Sequence, residues 1–387
     1  MTKVIIPLQD FRAQYESLRD EVAMALASVL ERQDFVLGRE VKELEEEMAR
    51  VCGTRHAVAC GSGSDALLLA LMALDIGPGD EVLAPAFTFF ATAAAPARLG
   101  ARPVFADIDP ASFNVSPGSA EKAAAGHARL RAAIPVDLFG QVADLEGIQA
   151  ALGPGVALVE DAAQAILATR GGRLAGSFGR VGALSFYPTK NLGAMGEAGM
   201  LTTGDDELAG RLRRLRVHGE KQRYYHEEIG INSRLDTLQA AVLLVKLRKL
   251  EQWTAARECA AERYDRLLVQ AGLAEPSATY PTPERPAVVP ARTPAAGSRH
   301  VYHQYTIRAH ERDGLRAALD AGGIRTGLYY PVPLHLQRSF AQFGGRPGDC
   351  PEAERAAAEV LSLPMFAEIT PEQQQRVVES IAGFYGR

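Results

Sequence analysis

The chain has 387 residues, 47% of them hydrophobic and 23% charged, the balance of a soluble globular protein too long for one simple core. Its formal net charge of −5 speaks against a nucleic-acid binder, whose surface is normally basic, and no run approaches the roughly 18 apolar residues of a membrane span. Cys52, Cys60, Cys259 and Cys350 lack paired spacing, which excludes a disulfide scaffold or zinc ribbon and, with a start unlike a signal peptide, predicts a cytoplasmic enzyme.

To about Gly53 the sequence reads as helix, clearest where Val41, Leu44, Met48 and Val51 recur at helical spacing among acidic residues. The pattern then changes to short apolar runs: HAVAC (56–60), EVLAP (81–85), RPVFAD (102–107), AAIPVDLF (132–139) and VALVE (156–160), followed by GALSFY (182–187) and GMLTT (199–203). Strands apolar at nearly every position are buried on both faces, and their alternation with helices predicts parallel βαβ units. One long helix is expected from Leu235 to about Ala271, where neither Pro nor Gly occurs. The Pro- and Ala-rich stretch 280–300 reads as a mobile loop that shapes substrate choice. VYHQYTIRAH as a strand, ERDGLRAALDAGG as a helix, then TGLYYPVPLHLQ and LSLPMF, complete a smaller α+β lobe. The expected division is a large lobe over 1–250 and a small C-terminal lobe over 251–387.

Ligands of open α/β sheets bind beyond the carboxyl ends of the strands, so the residues just after each run are informative. After HAVAC, Gly61-Ser62-Gly63-Ser64-Asp65 leads straight into a helix, a turn that suits a phosphate or simply a tight connection. The same letters satisfy a loose G-x-G-x-x-A dinucleotide pattern ending at Ala66, for which Asp80 or Glu81 could serve as the ribose-binding acid. After EVLAP comes Phe89, which could lie on a ring or belong to the core. After VALVE comes Asp161, either a helix N-cap or the partner of a cationic nitrogen. Lys190, in SFYPTKNLGAMGEAGM, is one of seven lysines. The other six lie on segments that read as solvated, so Lys190 alone is expected where burial lowers an amine pKa, as Schiff-base chemistry requires. A phosphate turn, an aromatic face, a carboxylate and a lysine at successive strand ends are together the parts that bind pyridoxal 5′-phosphate (PLP).

The motifs GDEVLAPAFTFFATA, IPVDLFGQ, VEDAAQ, SFYPTKNLGAMGEAGM, INSRLDTLQAA and YYPVPLHLQ resemble those of the PLP-dependent nucleotide-sugar aminotransferases of the DegT/DnrJ/StrS type. The resemblance runs over nearly the whole chain and sits nearest the branch acting on 3-keto sugars. It implies the aspartate-aminotransferase fold (PLP fold type I), with a mainly parallel sheet in the large domain, and transfer of an amino group from L-glutamate to a keto-sugar nucleotide. It implies that Lys190 condenses with the cofactor aldehyde and shuttles the proton, and that Asp161 faces the pyridine nitrogen. Gln164 is implied near the ring hydroxyl and Phe89 on the ring face, with Gly63, Ser64 and Ser185, and Asp65 in the same turn, around the phosphate. Asn232 and Arg234 are implied to cross to the site of the second subunit of a homodimer, Asn232 to the phosphate and Arg234 to the substrate, with Tyr329 and Tyr330 on the substrate side. Relatives that aminate a 3-keto-glucuronate tend to have His-Tyr at 329–330, so Tyr329 weakens the case for a uronate. A sugar dehydratase of the same group would carry His in place of Lys190.

Overall fold

A computed structural model of the chain describes residues 5–275, 278–288 and 297–387. The apolar runs become seven strands of one sheet: β1 (His56–Cys60), β2 (Glu81–Pro85), β3 (Arg102–Ala106), β4 (Leu130–Ala133), β5 (Ala157–Asp161), β6 (Val181–Ser185) and β7 (Gly199–Thr203). Their order is β1-β7-β6-β5-β4-β2-β3. Only β7 runs antiparallel to its neighbours. Successive residues of a strand face opposite ways. Ala57, Ala59, Leu83 and Leu158 therefore pack with α3 (Arg39–Cys52), α7 (Leu145–Leu152) and α9 (Thr237–Leu247). On the other face Val58, Cys60, Val82 and Val159 pack with α4 (Gly63–Ala73) and α8 (Asp206–Leu215).

Four expectations change. The N-terminal helical region is three helices, α1 (Phe11–Glu16), α2 (Arg19–Arg32) and α3. The run 132–139 leaves regular strand geometry after Ala133. Pro135 has no N–H to give, yet the path continues as Asp161 N donates to Pro135 O and Asp137 N to Asp161 O. The long helix is two, α9 and α10 (Leu250–Gln270), joined by a tight turn in which Lys249 N donates to Lys246 O at 2.9 Å. The turn lets α9 pack on α2 and α3 while α10 departs to pack on α13 (Pro371–Phe384).

The C-terminal core gathers α10, α11 (Arg312–Ala321) and α13 around a second sheet of β8 (Ala287–Val288), β9 (Tyr305–Ala309) and β10 (Val360–Leu363). The stretch 280–300 is thus not all loop, because Ala287–Val288 pairs with β9. Residues 289–296 of that stretch lie outside the described residues. Ile6 joins this core from the other end of the chain: its N–H donates to Gly323 O and its carbonyl accepts from Arg325 N.

Candidate active site

The site lies at the carboxyl ends of the parallel strands. β1 ends in a turn whose Ser62 caps α4, its hydroxyl accepting from Asp65 N at 3.1 Å. The first N–H groups of α4, those of Gly63 and Ser64, are left for an anion. A Cβ on Gly63 would stand 2.6 Å from Ser185 Cβ, so only glycine lets this turn meet the end of β6.

Asp161 ends β5 and is 5% exposed. No helix starts there, which removes the N-cap reading. Oδ2 accepts from Thr92 Oγ1 at 3.0 Å and Oδ1 from Ala163 N at 3.3 Å. Burial raises its pKa, and the two hydrogen bonds and the Lys190 charge oppose the rise.

Lys190 follows β6 on a loop that is held from several sides. Gln9 Nε2 donates to Thr189 O at 3.0 Å, Asn191 Nδ2 to Val301 O at 3.0 Å, and Lys246 Nζ to Gly193 O at 2.7 Å. The residue is half-buried, and its amine sits deep among protein atoms. That burial pushes the amine down to about 8 against the upward pull of Asp161. The expectation that no other lysine is buried fails. Lys246 is 5% exposed and also pushed down to about 8 by burial. Its Nζ is committed to the Gly193 carbonyl, so it supports the Lys190 loop.

Phe89 is 54% exposed whereas Phe87 is buried at 1%, so Phe89 is not a core residue and its ring is open to a ligand. Its centroid lies 6.1 Å from that of Tyr330. Gln164 accepts from Phe139 N at 2.7 Å and donates Nε2 to the Tyr330 hydroxyl at 3.3 Å. Burial raises the Tyr330 pKa, and the nearby Asp161 charge adds to the rise. Tyr329 stands edge-on to Tyr330 at 5.8 Å. Lys190, Asp161, Gln164, Phe89, Tyr329 and Tyr330 thus come together, and Gly63, Ser64 and Ser185 meet at the neighbouring strand end.

Asn232 and Arg234 are exposed and bound to each other, Arg234 Nε donating to Asn232 Oδ1 at 2.9 Å. Ser233 between them is buried; it donates to Asp65 Oδ2 at 2.7 Å and accepts from Gly61 N at 2.9 Å. The carboxylate of Asp65 therefore ties the 232–234 strap to the turn. Glu81 starts β2 and Asp80 just precedes it, at the opposite end of the sheet from the Gly61 turn. Asp80 caps Gly77 N at 3.0 Å and Glu81 holds His127 at 2.9 Å. A dinucleotide would find no acid at its ribose, and the rival pattern falls.

Sequence reasoning missed Thr88, Thr92, Lys246 and His303. Thr88 and Thr92 carry a weak signal, a four-residue spacing after a strand end. His303 is 3% exposed and bonds Asn191 Oδ1 at 3.1 Å. It lies two residues before a strand, with nothing local to mark it. Among the described residues no His, Cys, Asp or Glu cluster could hold a metal ion, and no helix is long and apolar enough to cross a membrane.

These groups fit PLP. The glycine turn admits its phosphate, the under-bonded Asp161 invites a cation at the ring nitrogen, and the lowered amine suits its aldehyde. The DegT/DnrJ/EryC1/StrS aminotransferase family matches residues 16–382. A pleiotropic regulatory protein of Geobacillus stearothermophilus is 50% identical over 98% of both chains. The UDP-N-acetyl-3-dehydro-α-D-glucosamine 3-aminotransferase of Acidithiobacillus ferrooxidans is 44% identical over 97% of both. Among solved structures, S. venezuelae DesV in complex with a ketimine intermediate is 41% identical and superposes with a TM-score of 0.91 over 99% of each chain. The chain belongs to the DegT/DnrJ/EryC1/StrS family and is a PLP-dependent aminotransferase of that fold.

Proposed function

We propose that this enzyme transfers the amino group of L-glutamate to the C3 carbonyl of a sugar carried by a nucleoside diphosphate, giving an amino-sugar nucleotide for glycan or secondary-metabolite biosynthesis. The observation that carries the reading is the enclosed Lys190 amine beside the buried Asp161 carboxylate at the end of the sheet. The choice of C3 and of a nucleotide carrier is supported by the A. ferrooxidans relative, named for a UDP-linked 3-dehydro sugar.

Bound PLP supplies an aldehyde that carries the amino group and a protonated ring that stabilises a carbanion. Lys190 would hold it through Nζ, and that amine would take the proton from the donor Cα. Asp161 would keep the ring nitrogen protonated. The Gly63 and Ser64 N–H groups and the Ser185 hydroxyl would bind the phosphate, Phe89 would cover the ring and Gln164 would meet its hydroxyl. Tyr329 and Tyr330 face the substrate. Asn232 and Arg234, exposed on their own subunit, reach the phosphate and the substrate of a second copy in a cytoplasmic homodimer. The proposed division is a cofactor lobe over 1–250, from which Ile6 reaches into the core of the smaller lobe over 251–387.

The G. stearothermophilus relative's regulatory name raises a second reading, a fold kept without turnover. The Lys190–Asp161 pair favours catalysis, because the Lys190 amine stands beside a buried carboxylate, whereas the equally lowered amine of Lys246 is committed to a backbone carbonyl. Lys190→Ala should abolish turnover while circular dichroism stays unchanged; near-normal rates would end the proposal. Mixing the pyridoxamine-phosphate form with a panel of keto-sugar nucleotides should single out a 3-keto sugar by return of the cofactor's visible absorbance.

A further inference from the structure

The oxygens of Asp161 are served unequally. Oδ2 has a well-placed donor in Thr92 Oγ1 at 3.0 Å, whereas Oδ1 has the Ala163 N–H at a long 3.3 Å. Thr92 is fully buried and Thr88 is 2% exposed, and their hydroxyl oxygens stand 3.3 Å apart. A threonine hydroxyl has one proton. That of Thr92 goes to Asp161, so Thr88 must donate to Thr92. The hydrogen bonds therefore run from Thr88 through Thr92 to the carboxylate. Both threonines flank Phe89, Thr88 just before α5 (Ala91–Arg98) and Thr92 in its first turn. One segment thus carries the exposed ring and the donor to the acid.

We infer that Thr92, backed by Thr88, is a positioning residue of the cofactor site: its hydroxyl proton keeps Asp161 ionised and leaves Oδ1 as the oxygen available to the ring nitrogen. The inference rests on the reading that Asp161 serves that nitrogen. Burial drives the carboxyl toward its neutral form, and the Thr92 bond is the strongest influence against it. In so enclosed a place a hydrogen bond is electrostatically strong. Thr92→Val keeps shape and removes the donor. The acid then titrates higher, and the ring nitrogen loses a share of its proton.

The test uses holoenzyme reconstituted with PLP labelled with 15N in the ring. In the wild type the 15N resonance should report a protonated nitrogen across neutral pH. In Thr92→Val it should move toward the unprotonated position, with its midpoint lowered by about one unit, and kcat should fall about tenfold with KM for L-glutamate little changed. Thr92→Ser should restore both, and Thr88→Val should shift the resonance the same way by less. A wild-type 15N titration in Thr92→Val would overturn the inference. If that variant fails to fold, an unshifted Thr88→Val does so instead. Borohydride should still fix PLP to Lys190 in every variant; its failure to do so in the wild type would sink the cofactor reading instead.

Discussion

Two lysines share the same depressed amine but different surroundings. Lys190 is held at about 8 by burial with Asp161 pulling upward, so it is largely neutral, and therefore nucleophilic, only from that pH up. Capture of PLP by cofactor-free protein should accelerate as pH rises and level off just above 8, as stopped-flow absorbance would track. A plateau deferred to about 10.5, the ordinary lysine range, would show the amine to be solvated. Lys246, lowered to about 8 as well, spends its protons on the Gly193 carbonyl at 2.7 Å. Lys246→Met would leave that carbonyl unpaired, at a cost of about 1–3 kcal/mol. Thermal unfolding should occur earlier and PLP should bind less tightly, while borohydride still fixes it to Lys190. Lys190 was legible because its loop comes after a strand end among glycines. Lys246 was not: its run AVLLVKL reads as an ordinary amphipathic helix, and burial of its last turn is decided by what α9 meets in space.

At the scale of elements, the sheet could be read from the letters because β1, β2 and β5 are apolar on both faces, a pattern that only a covered parallel sheet requires. The reversal of β7 had no such mark, since direction depends on the connection and not on composition. The kink between α9 and α10 was equally silent, having neither Pro nor Gly to announce it. The Gly61–Asp65 turn was legible as a phosphate site, and its dependence on glycine can be tested. Gly63→Ala would press a methyl to 2.6 Å from Ser185 Cβ. Overpacking of that kind costs about 1–3 kcal/mol, so the Kd for PLP in equilibrium dialysis should rise about tenfold or more. An unchanged Kd would mean that the phosphate sits elsewhere.

At the scale of the molecule, the proposal that Asn232 and Arg234 serve a second copy means that one chain does not complete its own site. Lys190→Ala and Arg234→Ala proteins, each impaired alone, should regain activity when unfolded together and refolded, because each mixed dimer then has one intact site. Additive residual rates would indicate self-sufficient subunits. This feature was readable only through resemblance, as no local pattern says that a residue serves another copy.

The attachment of Ile6 to the second sheet has a consequence for how the molecule is made. Ile6 and Leu8 must wait for Gly323, Arg325 and Met365, made far later, before their backbone groups pair, while Gln9, next in line, braces the loop of the reactive amine. Trimming this leading segment should cripple the catalyst from a distance, and nascent chains halted before the last sheet is complete should leave it open to proteases.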